Sequence, residues 1–146
     1  MIAKRSAGPD SPIDAYACER VLRLLRKLQT EVKRTAESAD AEAIHDVRVA
    51  TRRLREGLRV FGSLLPRANQ MRRRLKKLTN LASQVRDRDI ALELMKQARV
   101  PARSVLVRQL TAEREEAFEA LQATLVKWRE GRRLAEWSRD LRQGAS

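Results

Sequence analysis

The sequence predicts an all-α protein: an antiparallel four-helix bundle with a short additional C-terminal helix. Apolar residues recur in steps of three and four along most of the chain, which is the period of helices that bury one side. Only 5 Gly and 4 Pro are present, and the prolines mark expected helix boundaries. No segment alternates apolar and polar residues for long enough to predict a strand. Short connections between long helices favour antiparallel packing.

The first helix has a clear start signal. Residues 1–10 show no helical period and are expected to form a flexible N-terminal tail. Ser11 then offers a capping hydroxyl, Pro12 suits the first helical position, and Asp14 places an acid in the first turn. We expect this helix to run to about Ser38.

The second helix has the most regular apolar pattern of the chain. Asp40 is a suitable N-cap, and Pro66 is expected to end the helix. Between them, apolar residues and one threonine alternate steps of three and four, a pattern that we call the apolar seam. The seam consists of Ile44, Val47, Thr51, Leu54, Leu58, Phe61 and Leu65.

Three more helices complete the expected bundle. The third runs from about Asn69 to Gln97, the fourth follows Pro101 and ends at Gly131, and a shorter fifth lies near residues 132–141. The expected inward-facing residues are Met71, Leu75, Leu78, Ala82, Val85 and Leu92, then Val105, Leu110, Phe118, Leu121, Leu125 and Trp128, and finally Leu134, Trp137 and Leu141.

Composition favours one globular domain with a polyanionic partner. The 146 residues are 42% hydrophobic and 35% charged, and the net charge is +13. The excess is mainly guanidinium, with 25 Arg against 7 Lys, and a guanidinium can hold two phosphate oxygens at once. Aromatics make up only 3%, few for a protein that stacks on bases. A solvated, Arg-rich surface without a partner is the alternative explanation of the charge.

Cellular location is predicted only in outline. Cys18 is the single cysteine, so no internal disulfide is expected and nothing favours an oxidising compartment. The first residues lack the apolar segment of a secretion signal, and no apolar run approaches the length that spans a bilayer. We therefore expect a cytoplasmic protein with no membrane span.

A row of basic residues lies one position beyond the apolar seam. It comprises His45, Arg48, Arg52, Arg55 and Arg59, spaced in steps of three and four like the seam itself, with Arg53 close by. We call these five residues the basic row. It spans about 21 Å at 1.5 Å per residue and contains no acid. A row of like charges repels itself, and a linear polyanion would relieve that repulsion. The alternative is a solvated face with partners on neighbouring helices.

The third helix adds basic residues and one acid on or near its inward face. Arg72, Arg73, Arg74, Lys76 and Lys77 crowd its first half. Asp89 falls on or near the inward face, where an unpaired carboxylate is costly, so we expect it to pair with an arginine of the second helix. An error of one position in the helix phase would instead leave Asp89 exposed.

Other classes of function find little support in the sequence. No nucleophile stands beside a base at motif spacing and there is no glycine-rich phosphate loop, so no enzyme activity and no cofactor are expected. One His and one Cys are too few for a metal site. His45, first in a basic row, fits a pH-dependent phosphate donor better than a general acid or base. Nucleic acid remains an alternative partner, although no nucleic-acid-binding motif is present.

Two segments resemble the CHAD domain, the conserved histidine α-helical domain. HDVRVATRRLREGLRVF at 45–61 is similar to the family's signature helix. LKKL at 75–78, followed by VRDRDI at 85–90, is similar to its second signature at the same distance. The resemblance covers roughly residues 13–141 and implies one CHAD-like helical domain over residues 11–142.

The resemblance implies a specific ligand and a specific set of residues. Members of the family bind inorganic polyphosphate, which implies such a partner here, with an association with polyphosphate granules as a further expectation. Independently of the resemblance, the positive charge leads us to expect weak, non-specific binding of nucleic acid through its phosphates. Asp87 and Asp89 would orient the basic side chains. The implied ligands are His45, Arg48, Arg52, Arg53, Arg55, Arg59, Lys76, Lys77 and Arg86.

This sequence departs from the family pattern in two ways. The family commonly has two four-helix halves, each with its own His/Arg helix, and this chain has one such helix. Ser83 stands where the family often has Gly. Val49 and Val60 lie outside the apolar seam, near the basic row, so we expect two chains to pair as a homodimer that covers them and completes a basic pore. Isolated exposed valines without a partner are the alternative.

Overall fold

The computed structural model describes residues 12–38 and 40–145. It contains helices α1 (Pro12–Glu37), α2 (Ala41–Phe61), α3 (Ala68–Gln97), α4 (Val105–Glu130) and α5 (Arg133–Ala145), with a short 3-10 turn at Gly62–Leu64. These residues include no strand, and the predicted all-α class is confirmed. The expected tail at 1–10 and the expected Ser11 cap lie outside the described residues.

The four long helices form a closed ring of neighbours. α1 packs against α2 and α4, while α3 packs against the other sides of the same two helices, and α5 lies mainly on α1. Two contacts show that α1 and α2 are antiparallel: Thr35, near the end of α1, donates to the carbonyl of Ala43 at the start of α2 over 3.1 Å, and a Cβ at Gly57, near the end of α2, would lie 2.8 Å from Leu24 in the first half of α1. The predicted four-helix bundle with a fifth helix is therefore confirmed.

Helix α2 begins and ends for identifiable reasons. Asp40 caps it as predicted, its carboxylate accepting a hydrogen bond of 3.0 Å from the backbone N–H of Glu42. The α-helix ends at Phe61, earlier than the expected stop at Pro66, and a 3-10 turn continues the helical backbone as far as the residue before Leu65. Proline disfavours helical backbone at the residue before it, and Leu65 is indeed extended, with φ −117° and ψ 142°.

The apolar seam of α2 lies in the core. Ile44, Val47, Leu54 and Leu58 are at most 1% exposed, and only Phe61 among the seam residues is half-buried. Thr51 is buried too, and its hydroxyl donates to the carbonyl of Val47 over 2.6 Å, so its polar group is satisfied. The seam fixes the rotation of α2 about its own axis, and hence the direction of the basic row.

The far ends of α3 and α4 extend beyond the rest of the bundle. Gln122, well inside α4, donates to the carbonyl of Ala36 at the end of α1 over 3.1 Å. The preceding 17 residues of α4, about 26 Å at 1.5 Å per residue, therefore run past the end of α1. We call α3 from residue 86 and α4 up to residue 117 the projecting hairpin.

Apolar side chains of the projecting hairpin are exposed. Val105, expected to face inward, is 81% exposed, so that prediction is wrong, and Leu92 and Leu110 are only half-buried. The reason is that, in the described part of the chain, α3 is the only helix that packs beside this part of α4. The remaining exposed large apolar residues of the hairpin are Ile90, Leu94 and Leu106.

Candidate functional site

The basic row of α2 faces α3. Arg48 Nε donates to Ser83 Oγ on α3 over 3.4 Å, which shows which neighbour the row approaches. Arg48 and Arg55 are half-buried, whereas His45, Arg52 and Arg59 are exposed, as is the adjacent Arg53. The row therefore lies at the rim between α2 and α3 with its guanidinium groups accessible from solvent.

No acid neutralises the basic row within the described residues. None of its arginines lies within 4.0 Å of a carboxylate oxygen there. Two acids are next to members of the row in sequence: Asp46 pairs with Arg34 on α1, on the opposite flank of α2, whereas Glu56 is exposed and forms no ion pair with another described residue. The hydrogen bond to Asp46 is the main reason that the pKa of Arg34 is raised. No ion pair among the described residues therefore relieves the like-charge repulsion expected from the sequence.

Helix α3 supplies a second line of bases beside the basic row. Ser83 marks the side of α3 that contacts α2. At 100° per residue around the axis of α3, Lys76 and Arg72 lie about 20° from Ser83, and Arg86 lies about 60° from it. Arg72 and Lys76 are exposed and Arg86 is half-buried. We call the basic row together with Arg72, Lys76 and Arg86 the basic face.

Lys77 lies on a different surface from Lys76. It lines a cleft between α3, α4 and α5, together with Lys127 and Trp128. One residue along a helix is a rotation of about 100°, enough to move the side chain from the α2 side of α3 to the α4 side. The ligands implied by resemblance are therefore not all on one surface: Lys77 lies in this cleft, and Arg53, about 20° around α2 from Asp46, lies on the flank of α2 that faces α1.

The RDRD segment, residues 86–89, contains two acids with different surroundings. Asp87 is exposed and makes no hydrogen bond or ion pair with another described residue. Asp89 does face inward, as its helix phase predicts, but its partner is Arg114 of α4, whose Nε lies 2.9 Å from Oδ1. The expected pairing of Asp89 with an arginine of α2 is wrong, because at this level of the bundle α4 and not α2 lies opposite Asp89.

The geometry suits a linear, phosphate-rich anion. The basic face offers six arginines and a lysine on two adjacent helices, and each guanidinium presents a planar set of donors that matches phosphate oxygens. Arg72 is not among the ligands that the resemblance implies. Its spacing of eleven residues from Ser83, close to three full turns, nevertheless places it on the same side of α3. The described residues contain no group of three or more metal-ligating side chains.

Together, the fold and the site define a helical bundle with an unpaired basic face. The CHAD domain family matches residues 19–146, nearly the whole chain, and the protein belongs to that family. CHAD domains are associated in general with polyphosphate binding. Comparison with curated proteins and with solved structures gives no significant match in either case. No helix in the described part of the chain is long and apolar enough to cross a membrane.

Proposed function

We propose that this protein binds inorganic polyphosphate along the basic face between α2 and α3. The observation that supports this most directly is the unpaired state of the basic row, whose arginines have no carboxylate within 4.0 Å among the described residues. Membership of the CHAD family favours polyphosphate over other anions.

A linear polyanion matches this surface in shape and in charge. The basic row extends for about 21 Å along a straight helix, so successive phosphates of one chain can contact successive turns. Binding would relieve repulsion between the arginines and release counterions from both partners, so affinity should fall steeply as salt rises. His45 would join the same row as a donor to phosphate at its amino-terminal end.

The proposed role is binding without catalysis and without a cofactor. The basic face holds arginines, one lysine and one histidine, and no nucleophile paired with a base. A protein of this kind would act in the cytoplasm by holding or localising polyphosphate, for instance at polyphosphate granules.

The alternative function is non-specific binding of nucleic acid through its phosphates. A competition experiment separates the two: the protein is loaded with labelled duplex or single-stranded DNA at physiological salt, and unlabelled long-chain polyphosphate is added. We expect polyphosphate to displace the nucleic acid at equal phosphate concentration, and nucleic acid not to displace polyphosphate. A clear preference for nucleic acid would overturn the assignment.

We also propose that two chains pair as a homodimer and so complete a longer basic surface. Val60 is 65% exposed, as the sequence predicts, whereas Val49 is half-buried. A larger exposed apolar surface lies on the projecting hairpin, where Leu94 is 55% and Val105 81% exposed. Ile90 lies on the same side of α3 as Lys76, so a partner on the hairpin would lie next to the basic face. Light scattering that gives a strict monomer with and without polyphosphate would refute the dimer.

A further inference from the structure

A cleft of about 700 Å³ lies on the opposite side of α3 from the basic face. Its walls come from the first half of α3, the end of α4 and the start of α5, and both tryptophans of the chain line it. Trp128 and Trp137 meet edge to face, with ring centroids 6.4 Å apart. We call this the tryptophan cleft. Its size is typical of sites for small molecules and too small for a folded partner.

The charge of the tryptophan cleft is strongly unbalanced. Among the described residues that line it, five are cations and Glu136 is the only acid, which leaves four net positive charges. Within the described residues none of the five forms an ion pair, although Arg74 lies over the ring of Trp137, 5.9 Å from its centroid. The five cations are Arg74, Lys77, Lys127, Arg132 and Arg133.

The amino-terminal end of α5 borders the same cleft. The first backbone hydrogen bond of this helix runs from the N–H of Glu136 to the carbonyl of Arg132, over 2.8 Å. The N–H groups of the three residues before Glu136 therefore precede the helical ladder, at the positive end of a 13-residue helix. Two of these residues, Arg133 and Leu134, line the cleft. Backbone donors thus add to the five cations at one wall.

We propose that the tryptophan cleft binds a triphosphate group, either free or carried by a nucleoside. A triphosphate carries about four negative charges near neutral pH, which equals the net charge of the cleft in magnitude. A nucleoside adds a planar base, and the half-buried indole of Trp128 is the surface on which that base would pack. The site is separate from the basic face, since Lys76 and Lys77 project from different sides of α3, and it does not depend on polyphosphate binding there.

The tryptophans provide a readout confined to this site. The chain has only two, and both line the cleft, so a change in tryptophan emission reports on the cleft and not on the basic face. A bound triphosphate competes for Arg74 and thereby changes the environment of Trp137. Equilibrium dialysis counts ligand bound at both surfaces, so it is run on the R48E/R52E/R55E variant, which lacks three arginines of the basic face, as an independent measure of binding in the cleft.

The experiment titrates the full chain with inorganic triphosphate, ATP and adenosine in parallel. We expect saturable binding of both triphosphates with a change in emission. Tighter binding of ATP would assign the cleft to a nucleoside triphosphate, and equal affinity would assign it to the inorganic chain. Adenosine that binds as tightly as ATP would overturn the proposal, as would the absence of saturable binding of both triphosphates.

Charge-reversal variants locate the binding. Arg132 and Arg133 are exposed at the start of α5, and the double variant R132E/R133E should lose affinity by at least about tenfold through the loss of charged donors. The double variant K33E/R139E makes the same charge change at exposed positions outside the cleft and should retain it. The R48E/R52E/R55E variant of the basic face should also retain triphosphate binding in the cleft. The proposal for the cleft and the proposal for the basic face can therefore be refuted independently of each other. Equal losses in R132E/R133E and K33E/R139E would refute a site in the cleft, and R132A/R133A repeats the test without adding acids.

Discussion

Arg114 on α4 donates a hydrogen bond from Nε to Oδ1 of Asp89 on α3 over 2.9 Å, with 16% and 14% of the two side chains exposed. The guanidinium also lies over the ring of Phe118, 5.4 Å from its centroid. The pair joins the two helices of the projecting hairpin near its base. It also engages the one inward-facing acid of the RDRD segment with α4, so that acid does not neutralise the basic row of α2.

Removal of Asp89 should weaken the hairpin. In the variant Asp89→Ala, Arg114 loses a charged partner in a largely buried setting, and we expect a loss of about 1–3 kcal/mol in the free energy of unfolding, measured by urea denaturation. Asp87→Ala is the matched control, since Asp87 is exposed, and its stability should change by less than about 0.5 kcal/mol. Equal stabilities for the two variants would contradict this account. A loss of polyphosphate affinity in Asp89→Ala at unchanged stability would favour the orienting role instead.

Stability should fall at high pH because of Cys18. Burial, and then the negative charge of Asp14, raises the pKa of this thiol above its ordinary value of 9.0. The folded state therefore holds the thiol proton more tightly than the unfolded chain does. This contribution to stability is complete below pH 9.0 and is lost as pH rises through the folded pKa. Urea midpoints measured on both sides of pH 9.0 should decline more for the native protein than for Cys18→Ala. Parallel declines would refute the prediction.

Two neighbouring positions of α2 should separate stability from binding. Leu54 is 1% exposed, and Leu54→Ala should cost about 2–5 kcal/mol of unfolding free energy while leaving polyphosphate affinity unchanged under native conditions. Arg52→Ala, two residues earlier, exposed and part of the basic row, should have the opposite effect: binding weakens and stability changes little. Urea denaturation and a binding isotherm on both variants provide the check. A similar affinity loss in both variants would mean that packing, and not charge, governs binding.

The proposed dimer contact should respond to charges on the projecting hairpin. Leu94 and Leu106 are 55% and 49% exposed, so the double variant L94E/L106E should fold, and its mass by light scattering should fall to that of a monomer. Val60→Glu places an acid on the exposed side of α2 and tests the contact that the sequence alone predicts. If V60E dissociates the dimer and L94E/L106E does not, the contact lies on α2 and the hairpin assignment is wrong.

The sequence predicts some features well because they depend on one helix only. The offset between the apolar seam and the basic row follows from 100° per residue, so burial of Leu54 and exposure of Arg52 are both predictable. The inward direction of Asp89 is predictable for the same reason.

Features that depend on two helices were harder to predict. Helix phase shows that Asp89 faces inward but does not show that α4, with Arg114, is the neighbour opposite it. Likewise, Lys76 and Lys77 belong to one basic cluster in sequence, and only the positions of α2, α4 and α5 around α3 divide them. The exposure of Val105 reflects where α1 ends relative to α4, a relationship between helices that no local pattern records.

The most direct test of the central claim is a polyphosphate-binding isotherm, measured over a range of salt concentrations for the triple variant R48E/R52E/R55E. Its control is R20E/R26E/K33E, which makes the same charge change at exposed positions of α1. Circular dichroism first establishes that both variants are as helical as the native protein. We predict that binding is abolished, or that its salt dependence falls by roughly 2–3 in the logarithmic slope, in the first variant only. Native affinity in R48E/R52E/R55E, or equal losses in both variants, would contradict the assignment of the basic face as the polyphosphate site.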